Sequence, residues 1–229
     1  MKSVQLPDGS EVRLRKSKRA KRLTLKVTAE GTVEATIPYY LPYIVAEGFV
    51  RKHHGWIQKN KPPEKKLLTS GKLIGRQHQL LFALGKPSLS SRVNTTHVTI
   101  NVPQGYTSED AAVQEEAKKA AIRALKRQAE AYLPSKIYGL ARKHTYTYRQ
   151  VQVKKMRSRW GSCSSAKSIN LSIWLMQLPD DLIEYVLCHE LTHLNHMNHS
   201  TQFWAELAVM IPDYKKRRAA LKNFSPHLM

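Results

Sequence analysis

Residues 189–193 read His-Glu-Leu-Thr-His, and this short stretch limits the folds open to the chain more than any other. Two histidines four residues apart stack one above the other on a helix face, so the H-E-x-x-H pattern has a meaning only on a helix that makes its two imidazoles converge. The neighbours Leu182, Ile183, Val186, Leu187, Leu191 and Leu194 fall on more than one face of that helix, which predicts that it is buried. Burial makes His189, Glu190 and His193 costly unless each is hydrogen-bonded or bound to a cation. With 10 His and 12 Glu in 229 residues, the pattern arises by chance about 2% of the time, so the context has to decide.

The context favours a metal. Structural zinc sites are closed by four protein ligands, whereas hydrolytic sites use three and leave one position open to water. His199 follows His189 by ten residues, the spacing of the third ligand in H-E-x-x-H-x-x-G-x-x-H proteins, and is the expected third ligand. The glycine of that pattern is replaced by His196, so the backbone turn must differ, and His196 itself competes for the third position. Glu190 is the expected general base. Glu206, seven residues beyond His199, is an alternative ligand or a neighbour of the site. Cys188 reads as a small core residue. Arg159, Tyr185 and Tyr214 are candidates for stabilising an oxyanion.

Ahead of this segment the pattern is mostly β. Short strands are expected over 3–6, 11–15, 23–27 and 32–37, with a turn at Glu30-Gly31, and further strands over 72–74, 77–84 and 98–102. Residues 42–59 read as one helix stopped by Lys61-Pro62-Pro63. Ser108 is placed to cap a long helix running to about Tyr132, with Pro134 kinking it or starting another. Residues 151–156 and 169–175 read as strands, the second a candidate cleft edge to which a peptide could add, and 158–164 as a loop. The boundary between domains is placed at Gly105–Ser108.

The chain carries 38 Lys plus Arg against 17 Asp plus Glu, a field that attracts polyanions, nucleic acid and nucleotides among them. Seven of the ten residues in Arg13–Arg22 are basic, reading either as a solvated edge or as a phosphate contact. Two cysteines are too few for a disulfide framework. No apolar run approaches a membrane span, and the first residues lack the apolar core of a secretory signal, so a soluble, cytoplasmic protein is expected.

The segments SRWGSCS (158–164), INLSIWLMQLP (169–179), YVLCHELTHL (185–194), NHSTQFW (198–204) and PDYKKRR (212–218) together resemble the YgjP-like (DUF45) metal-dependent hydrolase family, and KRAKRLTLKVTAEGTVEATIP and GWIQKN extend the resemblance over nearly the whole chain. It implies Zn2+ held by His189, His193 and His199, with Glu190 catalytic. The metal core is also similar to SprT and Wss1-like proteases, without the Cys-rich ribbon that often follows an SprT core. The expectation is an α+β fold: a basic β-rich region over 1–107, then a zincin-like catalytic domain over 108–229. Its expected activity is zinc-dependent peptide hydrolysis. Two rivals stand beside it. One is hydrolysis of a nucleotide phosphoanhydride, for which the chain offers no P-loop G-x-x-x-x-G-K-[ST]. The other is a non-enzymatic nucleic-acid-binding zinc protein.

Overall fold

The computed structural model describes residues 2–28, 32–60 and 67–228. The expected turn at Glu30-Gly31 and helix stop at Lys61-Pro62-Pro63 lie outside them. The chain divides into two compact units, Met1–Lys66 and Leu67–Met229. The fold class is α+β, with strands concentrated in the N-terminal half.

In the first unit, β1 (Lys2–Gln5), β2 (Glu11–Ser17), β3 (Thr24–Val27) and β4 (Val33–Pro38) form one sheet in the order β1-β2-β4-β3. Alternation along each strand sends Val4, Val12, Leu14, Val33, Ala35 and Ile37 to one face, where they pack with Ala46, Val50 and Ile57. These last three come from α1 (Tyr43–Lys52) and α2 (His54–Asn60). The single helix expected over 42–59 is broken at His53, whose backbone N–H reaches the Phe49 carbonyl at 3.1 Å while its ring nitrogen Nδ1 lies 2.8 Å from the same oxygen.

The second unit opens with β5 (Leu73–Ile74), β6 (His78–Lys86), β7 (Ser90–Val93) and β8 (His97–Pro103), in the order β5-β6-β8-β7. These strands lie on α3 (Ala111–Lys143), six of whose thirteen buried residues are alanine, which lets helix and sheet approach closely. Two buried glutamines of α3 tie the sheet down. Gln114 accepts from Leu68 N–H at 2.8 Å and donates to its carbonyl at 2.9 Å; Gln128 donates to the Ile74 carbonyl and accepts from Arg76 N–H, both at 2.8 Å. Gly75 has φ +67°, and a Cβ there would meet Gln128 Oε1 at 2.5 Å. The expected boundary at Gly105–Ser108 therefore falls inside this unit, because the polar side chains of α3 complete the backbone pairing of residues 68–76.

Three local expectations are corrected. Ser108 does not cap α3; the N-cap is Asp110, whose carboxylate takes up the Thr107 hydroxyl at 2.9 Å. Pro134 neither stops nor restarts the helix, because Ala129, Leu133 and Ile137 are fully buried on either side of it, and that burial outweighs a proline cost of about 3 kcal/mol. The strand expected over 169–175 ends at Ser172 and continues as a 3-10 turn, Ile173–Gln177.

After α3 come β9 (Gln150–Lys154), β10 (Gly161–Cys163) and β11 (Ser168–Ser172), then α4 (Asp180–Thr192), α5 (Thr201–Met210) and α6 (Tyr214–Leu221). The sheet order is β10-β11-β9. This overturns the reading of residues 169–175 as a cleft edge: β11 is central, and the edges are β9 and β10, the latter carried by the segment expected to be a loop. Among the described residues no helix is long and apolar enough to cross a membrane.

Candidate metal centre

Leu182, Ile183, Val186, Leu187 and Leu191 bury α4 on several sides, as its sequence predicts, and Cys188 is completely buried among them. Burial pushes the Cys188 thiol up to about 12, in keeping with a core role rather than ligation. His189, Glu190 and His193 ride on the last turn, His193 being the residue that ends the helix. The chain then doubles back through Leu194 N–H to the Leu191 carbonyl (2.9 Å) and His196 N–H to the Thr192 carbonyl (3.0 Å). Ser200 caps α5 by accepting from Phe203 N–H at 3.3 Å, and this places His199 just before that helix.

The result is a cluster in which His189, His193 and His199 each present a donor atom, all within 4.8 Å of one another. His189 Nε2 and His199 Nε2 are 3.1 Å apart. His193 Nδ1 lies 2.9 Å from the His196 carbonyl, which takes the ring's other N–H and turns Nε2 inward. Phe203, completely buried, forms the floor: its ring centre is 4.9, 4.7 and 4.8 Å from those of His189, His193 and His199. Trp204 stacks on His199 at 5.5 Å, Tyr214 stacks on Trp204 at 5.4 Å, and the Arg218 guanidinium sits 4.6 Å from the Trp204 ring centre.

Electrostatics suit a cation. Burial, then the neighbouring His193 and His199, lower His189 to a pKa of about 3, and burial with His193 lowers His199 as well. Both rings are thus neutral, the form that binds metal. Burial raises Glu190 to about 8, against the opposing charge of Arg159. Glu190 Oε2 and His189 Nδ1 are buried without a hydrogen-bond partner among the described residues. An unpartnered carboxylate beside three converging imidazole nitrogens is expensive, and a divalent cation at their centre relieves it, so the residues fit the group.

The R-W-G-S-C segment has a definite task here. A Cβ on Gly161 would lie 2.6 Å from Glu190 Oε1 and 2.7 Å from its Cγ, so only glycine lets β10 run against the Glu190 side chain. The other candidates are distributed around this core. Tyr185 is buried with its ring 6.0 Å from His189. Arg159 is exposed just before β10. His196 is not part of the cluster: its Nε2 meets Glu206 Oε2 at 2.7 Å. Glu206 is likewise turned away from the three histidines, and also accepts from Asn195 Nδ2 at 2.8 Å and from the Tyr146 hydroxyl. Burial works against ionisation of Glu206, but these donors outweigh it and hold the carboxyl below its ordinary range.

Sequence reasoning did not find Tyr146, Asn195 or Arg218 as members of this neighbourhood, whereas Phe203 and Trp204 stand in the segment NHSTQFW that carries the resemblance. For Tyr146, 60 residues from Glu206, no local signal exists.

No curated protein gives a significant match to the chain. Among solved structures, the crystal structure of the metallopeptidase zymogen of Pyrococcus abyssi abylysin is similar at 20% identity over 41% of this chain and 95% of that one, with a TM-score of 0.36, too low to carry an argument. Residues 21–224 match the family described as YgjP-like, metallopeptidase domain, and the chain belongs to that family of metal-dependent hydrolases.

Proposed function

We propose that the chain is a zinc-dependent metallopeptidase in which His189, His193 and His199 hold the ion and Glu190 is the general base. The observation that carries this reading is the convergence of three imidazoles beside a buried, unpartnered carboxylate. Zinc, when bound, acts as a Lewis acid on a carbonyl and acidifies water. Glu190 takes a proton from water and returns it to the departing nitrogen; its raised pKa suits a base, and a nearby dication would draw it back toward neutrality. The edge of β10 offers backbone groups to an extended peptide, which would lie as a further strand beside Glu190. Arg159, Tyr185 and Tyr214 border the site as candidates to receive the developing negative charge; separate substitutions rank them by loss of kcat.

The test is cleavage of a casein-type substrate by wild type, chelator-treated protein and Glu190→Gln. Chelation abolishes turnover, and Glu190→Gln lowers it by about 10²–10⁴-fold while the metal content stays the same. Unchanged turnover in Glu190→Gln sinks the mechanism. Reaction at phosphorus is a second reading. It is favoured by Arg218, whose charge is felt at His189 and His199, and by Arg159, felt at Glu190, since guanidinium groups neutralise phosphates well. A nucleoside triphosphate panel run beside the casein assay separates the two.

A further inference from the structure

From Val12 to Thr28 the chain carries no acidic residue, while Arg13, Arg15, Lys16, Lys18, Arg19, Lys21 and Arg22 crowd into ten positions. In the first unit, Arg13 and Arg15 leave β2 on the side opposite the buried Val12 and Leu14, so they stand on the sheet face that α1 and α2 do not cover. Lys18, Arg19, Lys21 and Arg22 follow on the exposed turn before β3. Among the described residues none of the seven forms an ion pair. The acids on this sheet face are Glu11, two positions before Arg13, and Glu34, opposite Arg13 and Lys26 on β4, two carboxylates against the seven cations; Glu47 pairs with Lys2 at 2.9 Å and Asp8 accepts from the Ser10 hydroxyl at 2.7 Å.

Two aromatic rings stand beside this run. Tyr39 and Tyr40, directly after β4, are 60% and 73% exposed. Lys16 Nζ and Lys18 Nζ lie 5.6 and 5.7 Å from the Tyr39 ring centre, and Lys16 Nζ donates to the Tyr39 carbonyl at 3.1 Å. The Tyr40 hydroxyl reaches the Lys21 carbonyl at 3.5 Å. Crowded like charges repel, and exposed rings forgo burial; a partner carrying both phosphates and flat bases relieves both.

We propose that this surface of the Met1–Lys66 unit docks single-stranded nucleic acid, with phosphates on the Arg and Lys run and bases stacked on Tyr39 and Tyr40. A duplex fits less well, because its base faces are already covered by their neighbours and leave nothing for Tyr39 and Tyr40 to stack on. An anionic bilayer would call for a large exposed apolar side chain within the run, and the one present there, Leu14, is buried.

Anisotropy of a labelled oligothymidylate against the full-length chain, at increasing salt, tests this. The single strand is expected to bind more tightly than its duplex and to be released steeply by salt. The turn variant K18Q/R19Q/K21Q/R22Q leaves the sheet intact and should reduce the slope of log affinity against log salt by about three, at roughly 0.7 per phosphate contact. The pair Tyr39→Ala and Tyr40→Ala should weaken the single strand about thirtyfold or more without changing that slope; an unaltered circular dichroism melt certifies each variant. Unchanged affinity in the turn variant, equal binding of duplex, or binding of phosphatidylserine vesicles or polyglutamate in place of the oligonucleotide overturns the proposal.

Discussion

The three histidines reach their common point by two routes. His189 and His193 share α4, where the helix repeat sets their spacing and a nearly complete apolar jacket holds the helix in place. His199 stands on an exposed segment and is held from outside, by the Trp204 stack, by Trp204 Nε1 donating to its carbonyl at 3.1 Å, and by His189 Nε2. As the proposed ligands, the two histidines built into a helix persist whenever the helix does, whereas the one on the loop depends on everything that shapes the loop. The largest expected effect breaks this contrast directly. His193→Ala removes half of the helical pair and abolishes metal binding outright. His199→Ala leaves two imidazoles on a rigid helix, so weak residual binding survives. Metal content after dialysis, alongside His196→Ala as the control that retains the ion, measures both; equal and complete loss in the two variants would erase the distinction.

Gly161→Ala probes the helix side alone. The added methyl collides with Glu190, and a misplacement of about 1 Å costs roughly 10²-fold in turnover. The metal content should be unchanged, since the three atoms nearest the added methyl all belong to Glu190. A variant with normal kcat would show that β10 can withdraw from α4 at no cost.

The same contrast governs what the sequence makes visible. The α4 pair is a local pattern and His199 stands ten residues after His189, so the three histidines that the structure brings within 4.8 Å of one another are all legible in the sequence. The strands with apolar alternation, such as Val33, Ala35 and Ile37, are equally legible. Pairing partners are not, because pairing is non-local: residues 168–172 lie centrally between β9 and β10, although nothing in them says so. The short β7, Ser90–Val93, has half-buried Ser91 and Val93 with exposed Ser90 and Arg92, too polar an alternation to announce a strand. The unit boundary depended on Gln114 and Gln128, polar residues on a helix face whose partners lie about fifty positions earlier.

Glu190 and His189 are neighbours on α4 that titrate in opposite senses, and this gives a third test in metal-stripped protein. Between pH 6.5 and 8 the folded state holds the Glu190 proton that the unfolded state has already lost, so stability falls as pH rises, by about 2 kcal/mol. Below 4.5 the unfolded state protonates His189 while the folded state does not until about 3, so stability falls as pH drops. Between 4.5 and 6.5 the two slopes oppose each other. Urea midpoints across this range should therefore show a flat top, and Glu190→Gln should remove the alkaline decline only. His199→Ala should leave that decline intact, since the loop ligand plays no part in burying Glu190. An alkaline decline that survives Glu190→Gln belongs to some other group.

The smallest effect sharpens the comparison on the loop side. Glu206 gathers Tyr146, Asn195 and His196, and the carbonyl of that same His196 receives His193 Nδ1. One carboxylate thus braces the loop leading to His199 and also the carbonyl that orients a helical ligand. Glu206→Ala leaves three donors unanswered and should weaken metal affinity about tenfold, as the loss of an outer hydrogen bond behind a ligand does. A double-mutant cycle with His199→Ala, read by competition with a chelator, decides which route carries the loss. If Glu206 acts through the loop, its removal costs nothing further once His199 is gone. If it acts through the His196 carbonyl on His193, the two losses add, and the helical pair owes part of its geometry to the loop that follows it.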